Sequence, residues 1–195
     1  MFSIEHGKKL IELARLSLES YFSKRASDTE EYRVFSSKQG VFVTLTKEGE
    51  LRGCIGFPEP TYPLYKAVFE AARSAALHDP RFPPLREDEL KDVDIEVSVL
   101  TVPELIKTEK PEDYMKSIII GQDGLIIRHG PYSGLLLPQV PVEWGWDVKE
   151  FLSHICIKAG LSQDAWKDIS SRLYKFNAQI FSEESGKIIE KDLLS

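Results

Sequence analysis

The first stretch of the chain alternates apolar and polar positions with the period of a helix. Apolar side chains recur every three or four positions over residues 1–24, with charged residues between them, and this pattern predicts an amphipathic helix that packs on a core. The apolar stripe consists of Ile4, Leu10, Leu13, Ala14, Leu18 and Tyr21. The polar segment 24–40 keeps no such period, so we interpret it as a connection.

The next segments predict a hairpin, a helix and a strand, in that order. Residues 41–46 are rich in β-branched and aromatic side chains, and a Lys-Glu-Gly-Glu turn leads from them into a second strand at 51–55. Residues 62–78 carry apolar side chains at helical intervals, with Pro63 in the first turn. Residues 93–100 alternate valine and isoleucine with polar residues, as a strand with one covered face does.

A similar order of elements returns in the second half of the chain. Short apolar runs at 117–120, 125–128 and 135–137 predict strands joined by glycine-rich turns. A helical pattern over 148–158 ends just before a glycine, and residues 172–181 alternate again as a strand. The second half therefore repeats the hairpin, helix and strand of the first.

These patterns predict an α+β protein built from two β/α structural repeats, at about residues 41–100 and 117–181. The chain of 195 residues is 42% hydrophobic, which is enough to bury a full core in a single domain over residues 1–195. A two-lobed arrangement of that domain is left open. The sheet is predicted to be mainly antiparallel, because hairpins provide most of its strands.

Charge and cysteine usage narrow the class of protein. The net charge of −6 argues against broad binding to nucleic acid, which needs clustered lysine and arginine. Cys54 and Cys156 are too few for a disulfide framework and suit a reducing, cytoplasmic location. The apolar runs are too short to cross a bilayer, and the start lacks the pattern of a secretion signal. We therefore expect neither secretion nor a membrane span.

One hexapeptide places a thiol and a cation close together between glycines. It runs from Leu51 to Gly56 with the sequence LRGCIG, and it resembles the signature of the AMMECR domain family. The resemblance continues through further blocks over nearly the whole chain. These blocks are Asp79 to Pro84 (DPRFPP), Ile95 to Leu100 (IEVSVL), Leu135 to Val140 (LLLPQV), and Lys158 to Leu161 (KAGL).

The resemblance to this family implies several properties of the protein. It implies a single AMMECR-like domain of the α+β class, with repeated β/α units around a curved, mainly antiparallel sheet. Genes for proteins resembling this family often lie beside genes for Memo-like and radical SAM proteins, which implies that such pathway proteins are partners. A regulatory role has also been suggested for the family, and the motif itself implies no reaction.

Cys54 is the candidate catalytic residue of the hexapeptide. In a regular strand Arg52, Cys54 and Gly56 point to one side, so the guanidinium would favour the thiolate and make Cys54 a nucleophile. Gly53 and Gly56 would let a ligand approach the backbone. Alternatively, Cys54 is a small buried apolar residue and Gly53 is a close-packing or bulge position.

The end of the predicted helix at 62–78 and the segment after it supply two more candidates. His78 could act as an acid or base, with Asp79 orienting the imidazole, and Arg81 could bind an anion from a loop stiffened by prolines. The structural alternatives are that His78 interacts with the dipole at the helix end, that Asp79 begins a turn, and that Arg81 pairs with a surface carboxylate.

Glu96 and Ser98 project from the polar side of the strand at 93–100. If this strand lies beside the hexapeptide, both side chains share its cleft and Glu96 pairs with Arg52. That pair would be either a carboxylate base near the thiol or a cross-strand salt bridge.

No histidine and cysteine spacing in the sequence matches a metal site, and no phosphate-binding motif is present, so we predict no metal and no cofactor. Two functions follow from the candidate residues. In the first, Arg52, Gly53, Gly56, Arg81, Glu96 and Ser98 bind a polar or anionic small molecule, or a partner protein. In the second, the protein is an enzyme of a modification pathway with Memo-like and radical SAM proteins, in which Cys54 is the nucleophile.

Overall fold

The computed structural model describes residues 1–108, 110–184 and 186–191. These residues divide into two compact units. The first unit consists of Met1–Leu100 and Gln179–Lys191, and the second contains Thr101–Ala178. The chain thus leaves the first unit after residue 100 and returns to it at residue 179.

The described residues form five α-helices and eight strands. The helices are α1 (Ile4–Ser23), α2 (Leu64–Leu77), α3 (Tyr114–Ser117), α4 (Gln139–Trp144) and α5 (Val148–Lys158). The strands are β1 (Gly40–Lys47), β2 (Glu50–Phe57), β3 (Val93–Leu100), β4 (Glu104–Leu105), β5 (Asp123–His129), β6 (Tyr132–Leu136), β7 (Arg172–Glu184) and β8 (Lys187–Lys191). Short 3₁₀ turns occur at Glu30–Phe35, Glu87–Asp92, Pro111–Asp113 and Ala165–Lys167.

Helix α1 begins at a side-chain cap and ends in a left-handed residue. The hydroxyl of Ser3 accepts a hydrogen bond from the amide of His6 over 3.3 Å, which satisfies one of the free amides at the helix start. Lys24, with φ of 54°, closes the other end. The predicted packing helix is confirmed, although the following connection contains the 3₁₀ turn at Glu30–Phe35.

The sheet of the first unit has the strand order β2, β1, β3, β7. Strands β1 and β2 form the predicted hairpin, and β3 pairs antiparallel with β1 along its full length. Strand β8 pairs antiparallel with the last residues of β7. Strand β2 is therefore an edge strand, with only one neighbour in this sheet.

The core of the first unit lies between one face of this sheet and helices α1 and α2. Alternate residues of β1 and β3 are buried on that face with at most 3% exposure, as their apolar and polar alternation predicts. From the helices, Leu10, Leu13, Leu64, Val68 and Ala72 are fully buried against them. The polar residues that alternate with these apolar residues in β1 and β3 lie on the other face of the sheet.

In the second unit β5 pairs antiparallel with β6 on one side and with the first residues of β7 on the other. Helix α5 supplies Phe151, Leu152 and Ile155 to the core of this unit, and all three are fully buried. The order hairpin, helix, strand therefore occurs in both units. The α+β class and the mainly antiparallel sheet are confirmed, since every strand pair described is antiparallel.

The predicted strand at 117–120 is wrong. Helix α3 ends at Ser117, and the chain then turns into β5. The turn is held by Asp123, whose carboxylate accepts a hydrogen bond from the amide of Ile119 over 2.8 Å and whose own amide donates to the Ile119 carbonyl over 2.9 Å. The apolar character of the run instead reflects burial of Ile118, which is 4% exposed.

Within the described part of the chain, no helix combines the length and the apolar character needed to cross a bilayer.

Candidate functional site

The two glycines of the hexapeptide are sites of close packing. A Cβ atom on Gly53 would collide with the carbonyl oxygen of Ala75 in α2, and a Cβ atom on Gly56 would collide with that of Val41 in β1. Because a backbone carbonyl cannot rotate away as a side chain can, only glycine fits at these positions. This geometry supports the structural alternative for Gly53, and a ligand-binding role for either glycine stays a prediction.

The backbone of Cys54 faces the open edge of β2, and two side chains complete its hydrogen bonding. The amide of Cys54 donates to Oδ2 of Asp79 over 2.8 Å, and Nη2 of Arg81 donates to the Cys54 carbonyl over 3.4 Å. A free sheet edge is a template for unwanted pairing with another chain. Asp79 and Arg81 therefore take the place of a neighbouring strand at the thiol-bearing residue.

Asp79 and Arg81 also hold each other in a fixed geometry. Nε of Arg81 donates to Oδ1 of Asp79 over 3.0 Å, and Nη2 donates to Oδ2 over 2.7 Å. Asp79 is 4% exposed, whereas the Arg81 side chain is 54% exposed. The hydrogen bonds from Arg81, together with the one from the Cys54 amide, hold the pKa of the Asp79 carboxyl well below its usual range. Asp79 is thus a buried, charged anchor, and Arg81 reaches solvent from it.

Arg52 ties β2 to the segment after α2. Its guanidinium donates to the carbonyl oxygens of Pro83 and Pro84 over 2.9 and 3.4 Å. It also binds both carboxylate oxygens of Glu89, over 3.3 and 3.1 Å, and Lys47 binds the same carboxylate over 3.3 Å. The hydrogen bonds from Arg52 lower the pKa of Glu89 to about 2. With its side chain only 12% exposed, Arg52 is committed to these acceptors.

The expected pair between Glu96 and Arg52 is wrong. A register shift between Leu45 and Thr46 leaves Arg52 without a partner in the β1–β2 ladder, so simple alternation does not describe its direction. Glu96 instead binds Lys191 of β8, with Nζ to Oε2 at 2.7 Å. Arg52 therefore connects β2 to the segment after α2, whereas Glu96 connects β3 to β8.

The pKa of the Cys54 thiol is raised above its ordinary value. Burial is the largest cause of this rise; a hydrogen bond from Thr44 and the charge of Arg81 lower the pKa, and the charges of Glu96 and Asp79 raise it by smaller amounts. Oγ1 of Thr44 lies 3.2 Å from Sγ of Cys54. Since the thiolate is the nucleophile, this environment does not activate Cys54.

Polar side chains cross the sheet face opposite the core in a line that we call the polar row. Thr44 lies opposite Cys54 on one side and opposite Glu96 on the other, and Lys191 binds Glu96 at the far end. Burial lowers the pKa of Lys191, but its contacts with Glu96 and Glu184 together outweigh this effect and raise it. The polar row comprises Cys54, Thr44, Glu96 and Lys191.

Ser98 lies two residues beyond Glu96 on the same strand and so on the same face. It is 1% exposed, and its Oγ has no hydrogen-bond partner among the residues described. Nearly all buried polar atoms in proteins are hydrogen-bonded. The hydroxyl of Ser98 is therefore an unused donor and acceptor next to the polar row.

His78 is exposed just after α2, and its amide donates to the carbonyl of Ser74 over 2.8 Å. The groups that shift the pKa of the Cys54 thiol are Thr44, Arg81, Glu96 and Asp79, and His78 is not among them. Asp79 binds Arg81 and Cys54 rather than an imidazole. This arrangement favours the structural alternative for His78, and its proposed catalytic role stays a prediction.

Sequence reasoning missed two members of the polar row. A regular hairpin with Lys47 opposite Glu50 would place Thr44 opposite Gly53, and only the register shift between Leu45 and Thr46 brings it opposite Cys54. Lys191 could not have been found either, since β8 is short and follows a long strand. Within the described residues, no group of three histidine, cysteine, aspartate or glutamate side chains is arranged to hold a metal ion.

The fold and this site define an α+β protein in which two helices cover one face of an antiparallel sheet and the hexapeptide forms its edge. A family model described as AMMECR1 matches residues 11–181. The chain belongs to the AMMECR1 family.

Its relatives match over almost their whole length. Protein MJ0810 of Methanocaldococcus jannaschii is 50% identical, and the match covers 100% of this chain and 99% of that protein. A protein of Methanothermobacter thermautotrophicus is 51% identical over 93% of this chain and 96% of its own. The crystal structure titled "Uncharacterized Protein PH0010 From Pyrococcus horikoshii" is similar with a TM-score of 0.90, at 48% identity over 96% of this chain and 97% of that one.

Proposed function

We propose that this protein is a binding module that recognises a small polar or anionic ligand at the polar row. The observation that carries the proposal is that a paired donor and acceptor of the row, Lys191 and Glu96, reach solvent on one sheet face, with side chains 35% and 16% exposed. The hydroxyl of Ser98 has no hydrogen-bond partner among the residues described, but it is sealed from solvent and does not itself offer a contact to a ligand.

The chemistry of the polar row suits recognition. Glu96 accepts hydrogen bonds and is 16% exposed in its side chain, while Lys191 donates them and is 35% exposed. The Arg81 side chain is 54% exposed and acts electrostatically on the Cys54 thiol, so it lies at the same end of the row. An anionic group on the ligand would bind Arg81 rather than Arg52. Both guanidinium groups are paired with a carboxylate, but the Arg81 side chain is 54% exposed and that of Arg52 only 12%.

The alternative function, an enzyme with Cys54 as nucleophile, has less support. Burial raises the pKa of the thiol, whereas reactive cysteines have a lowered one. Both cysteines are free, which suits the cytoplasmic location that we infer. In this alternative function, the protein would act in a modification pathway together with Memo-like and radical SAM proteins.

Amide chemical shifts test this function. The protein labelled with ¹⁵N is titrated separately with inorganic phosphate, acetate and glutamate, which offer an anion alone or an anion with a donor. We expect at least one probe to shift the amides of Thr44, Cys54 and Ser98 and to bind Arg81→Gln about tenfold more weakly. Cys54→Ser should bind as the unchanged protein does.

Arg86→Gln is the matched control for Arg81→Gln. Arg86 also pairs with an aspartate two positions away, but both of those side chains are 71% exposed. Its replacement should leave probe binding unchanged. If no probe shifts the three amides at millimolar concentration, or if Arg81→Gln and Arg86→Gln weaken binding equally, the proposal is wrong.

A further inference from the structure

The first unit contains a cavity that is separate from the polar row and uses none of the site residues expected from the sequence. Its volume is about 720 Å³, within the range of about 300–1,000 Å³ that is typical of small-molecule sites. The residues that line it are Ser27, Thr29, Arg33, Phe57, Tyr62, Tyr65, Lys66, Phe69, Glu70 and Ser74. They come from the segment after α1, from the end of β2 and the loop that follows it, and from the outer face of α2.

Four aromatic rings form the apolar part of this cavity. Tyr65 and Phe69 are four residues apart on α2 and so lie on one side of the helix. Phe57 ends β2, and its ring contacts that of Tyr62 edge to face, with the ring centres 5.6 Å apart. Tyr62 is 48% exposed although it is a large aromatic residue. Exposed rings that face a cavity are suited to stacking on a flat ligand.

Two cations and one carboxylate are placed around these rings. Lys66 is exposed, with its Nζ 6.0 Å from the centre of the Tyr65 ring. Nε of Arg33 lies 3.0 Å from Oε2 of Glu30, but both side chains are more than 60% exposed. A pair so exposed contributes little to stability, so Arg33 can turn to a ligand at low cost.

Glu70 and three hydroxyl residues complete the polar lining. The carboxylate of Glu70 can accept hydrogen bonds from hydroxyl groups, as acidic residues do for ribose in dinucleotide-binding proteins. Ser27, Thr29 and Ser74 can each donate or accept. The cavity thus combines flat apolar walls, two cations for an anionic group and acceptors for a sugar.

We propose that this cavity binds a mononucleotide, that is, a flat heteroaromatic base with a ribose and a phosphate. The base stacks on Tyr62 and Tyr65, the phosphate binds Lys66 and Arg33, and Glu70 accepts from the ribose. A single nucleotide is favoured over a nucleic-acid strand because the chain carries a net charge of −6, and strand binding needs an extended run of cations.

Calorimetric titration of the whole chain with AMP at low salt tests the stacking contact. We expect binding, and we expect Tyr62→Ala to weaken it about tenfold, since base stacking on an aromatic side chain contributes about 1–3 kcal/mol. Tyr21→Ala is the matched control, because Tyr21 is 47% exposed and contacts Phe22 edge to face at 5.2 Å. It lies outside the cavity lining and should not change AMP binding.

Adenosine, which lacks the phosphate, tests the charged contact. Lys66→Gln should weaken AMP binding several-fold and leave adenosine binding unchanged, because only AMP presents a charge to the lysine. Lys9→Gln, which removes an exposed lysine from α1, should affect neither ligand.

Three results would overturn the proposal. They are no heat of AMP binding at millimolar concentration, equal loss in Tyr62→Ala and Tyr21→Ala, and tighter Lys66-dependent binding of a single-stranded RNA oligonucleotide than of AMP. Binding of phosphate, acetate or glutamate at the polar row is measured separately, so failure at one site does not decide the other.

Discussion

Oδ2 of Asp79 accepts a hydrogen bond from the backbone amide of Cys54 over 2.8 Å, although the two residues lie 25 positions apart. The same carboxylate binds Arg81, whose guanidinium donates to the carbonyl of Cys54. Asp79 and Arg81 therefore satisfy both backbone groups of the one residue whose thiol lies at the end of the polar row. This contact holds the hexapeptide and the Asp79 to Pro84 segment in a fixed relation.

Replacing Asp79 by alanine should destabilise the protein by about 2 kcal/mol, because the Cys54 amide loses its partner at a buried position. Asp88→Ala is the control, since Asp88 pairs with an arginine at the same two-residue distance but at 71% exposure. Asp88→Ala should lower the free energy of unfolding by less than about 0.5 kcal/mol. Urea unfolding measures both free energies, and equal values would show that the edge contact contributes nothing specific.

Acid should destabilise the protein through Glu89 and Asp79. Contacts in the folded state lower the pKa of Glu89 to about 2 and depress that of Asp79, whereas free carboxyls titrate near 4. As the pH falls below about 4.5, the unfolded chain binds protons first, so the free energy of unfolding decreases until the folded-state pKa is passed.

The variants Glu89→Gln and Asp79→Asn should each be less stable than the unchanged protein at pH 7. Each should also lose less of its stability between pH 5 and pH 2, about the range over which the depressed groups titrate. Urea unfolding across this range measures the slope. A variant with the full acid slope of the unchanged protein would show that its carboxyl is not depressed in the folded state.

Replacing Gly53 by alanine should destabilise the protein by about 3 kcal/mol, because the new methyl group meets the carbonyl of Ala75 and overpacking of this kind is costly. Leu51→Ala in the same strand is the comparison, since Leu51 is 41% exposed and its replacement leaves no void. Thermal unfolding measures the stability of both variants. If Gly53→Ala were as stable as Leu51→Ala, the close approach of α2 to Gly53 would be contradicted.

The sequence was sufficient to predict the main elements of the first unit. Alternation along β1 and β3 and the helical spacing in α2 reflect burial on one face, which is a local signal. The predicted strand at 117–120 failed because the run forms a turn that depends on Asp123, which buries Ile118 and leaves Ile119 exposed. An apolar run alone does not distinguish these two outcomes.

The site was predicted less completely, since its contacts depend on tertiary structure. The register shift leaves Arg52 without a partner in the ladder, and Arg52 binds Glu89. Gly53 indicates a possible bulge here, but the sequence does not say which carboxylate Arg52 then meets. Lys191 reaches Glu96 from 95 positions away. The cavity is lined from three separate segments, so only the fold brings its aromatic and cationic residues together.

The most direct test of the account is the rate at which iodoacetamide modifies Cys54 as a function of pH, followed by peptide mass spectrometry so that Cys156 is counted separately. Burial raises the pKa of both thiols, that of Cys156 to about 11. We predict an apparent pKa for Cys54 above that of the urea-unfolded chain, and slower modification than in that chain at pH 7. Thr44→Val should raise the apparent pKa of Cys54 further by removing a hydrogen bond to sulfur. Faster modification in the folded protein, with an apparent pKa below that of the unfolded chain, would contradict an unactivated thiol and support a nucleophile.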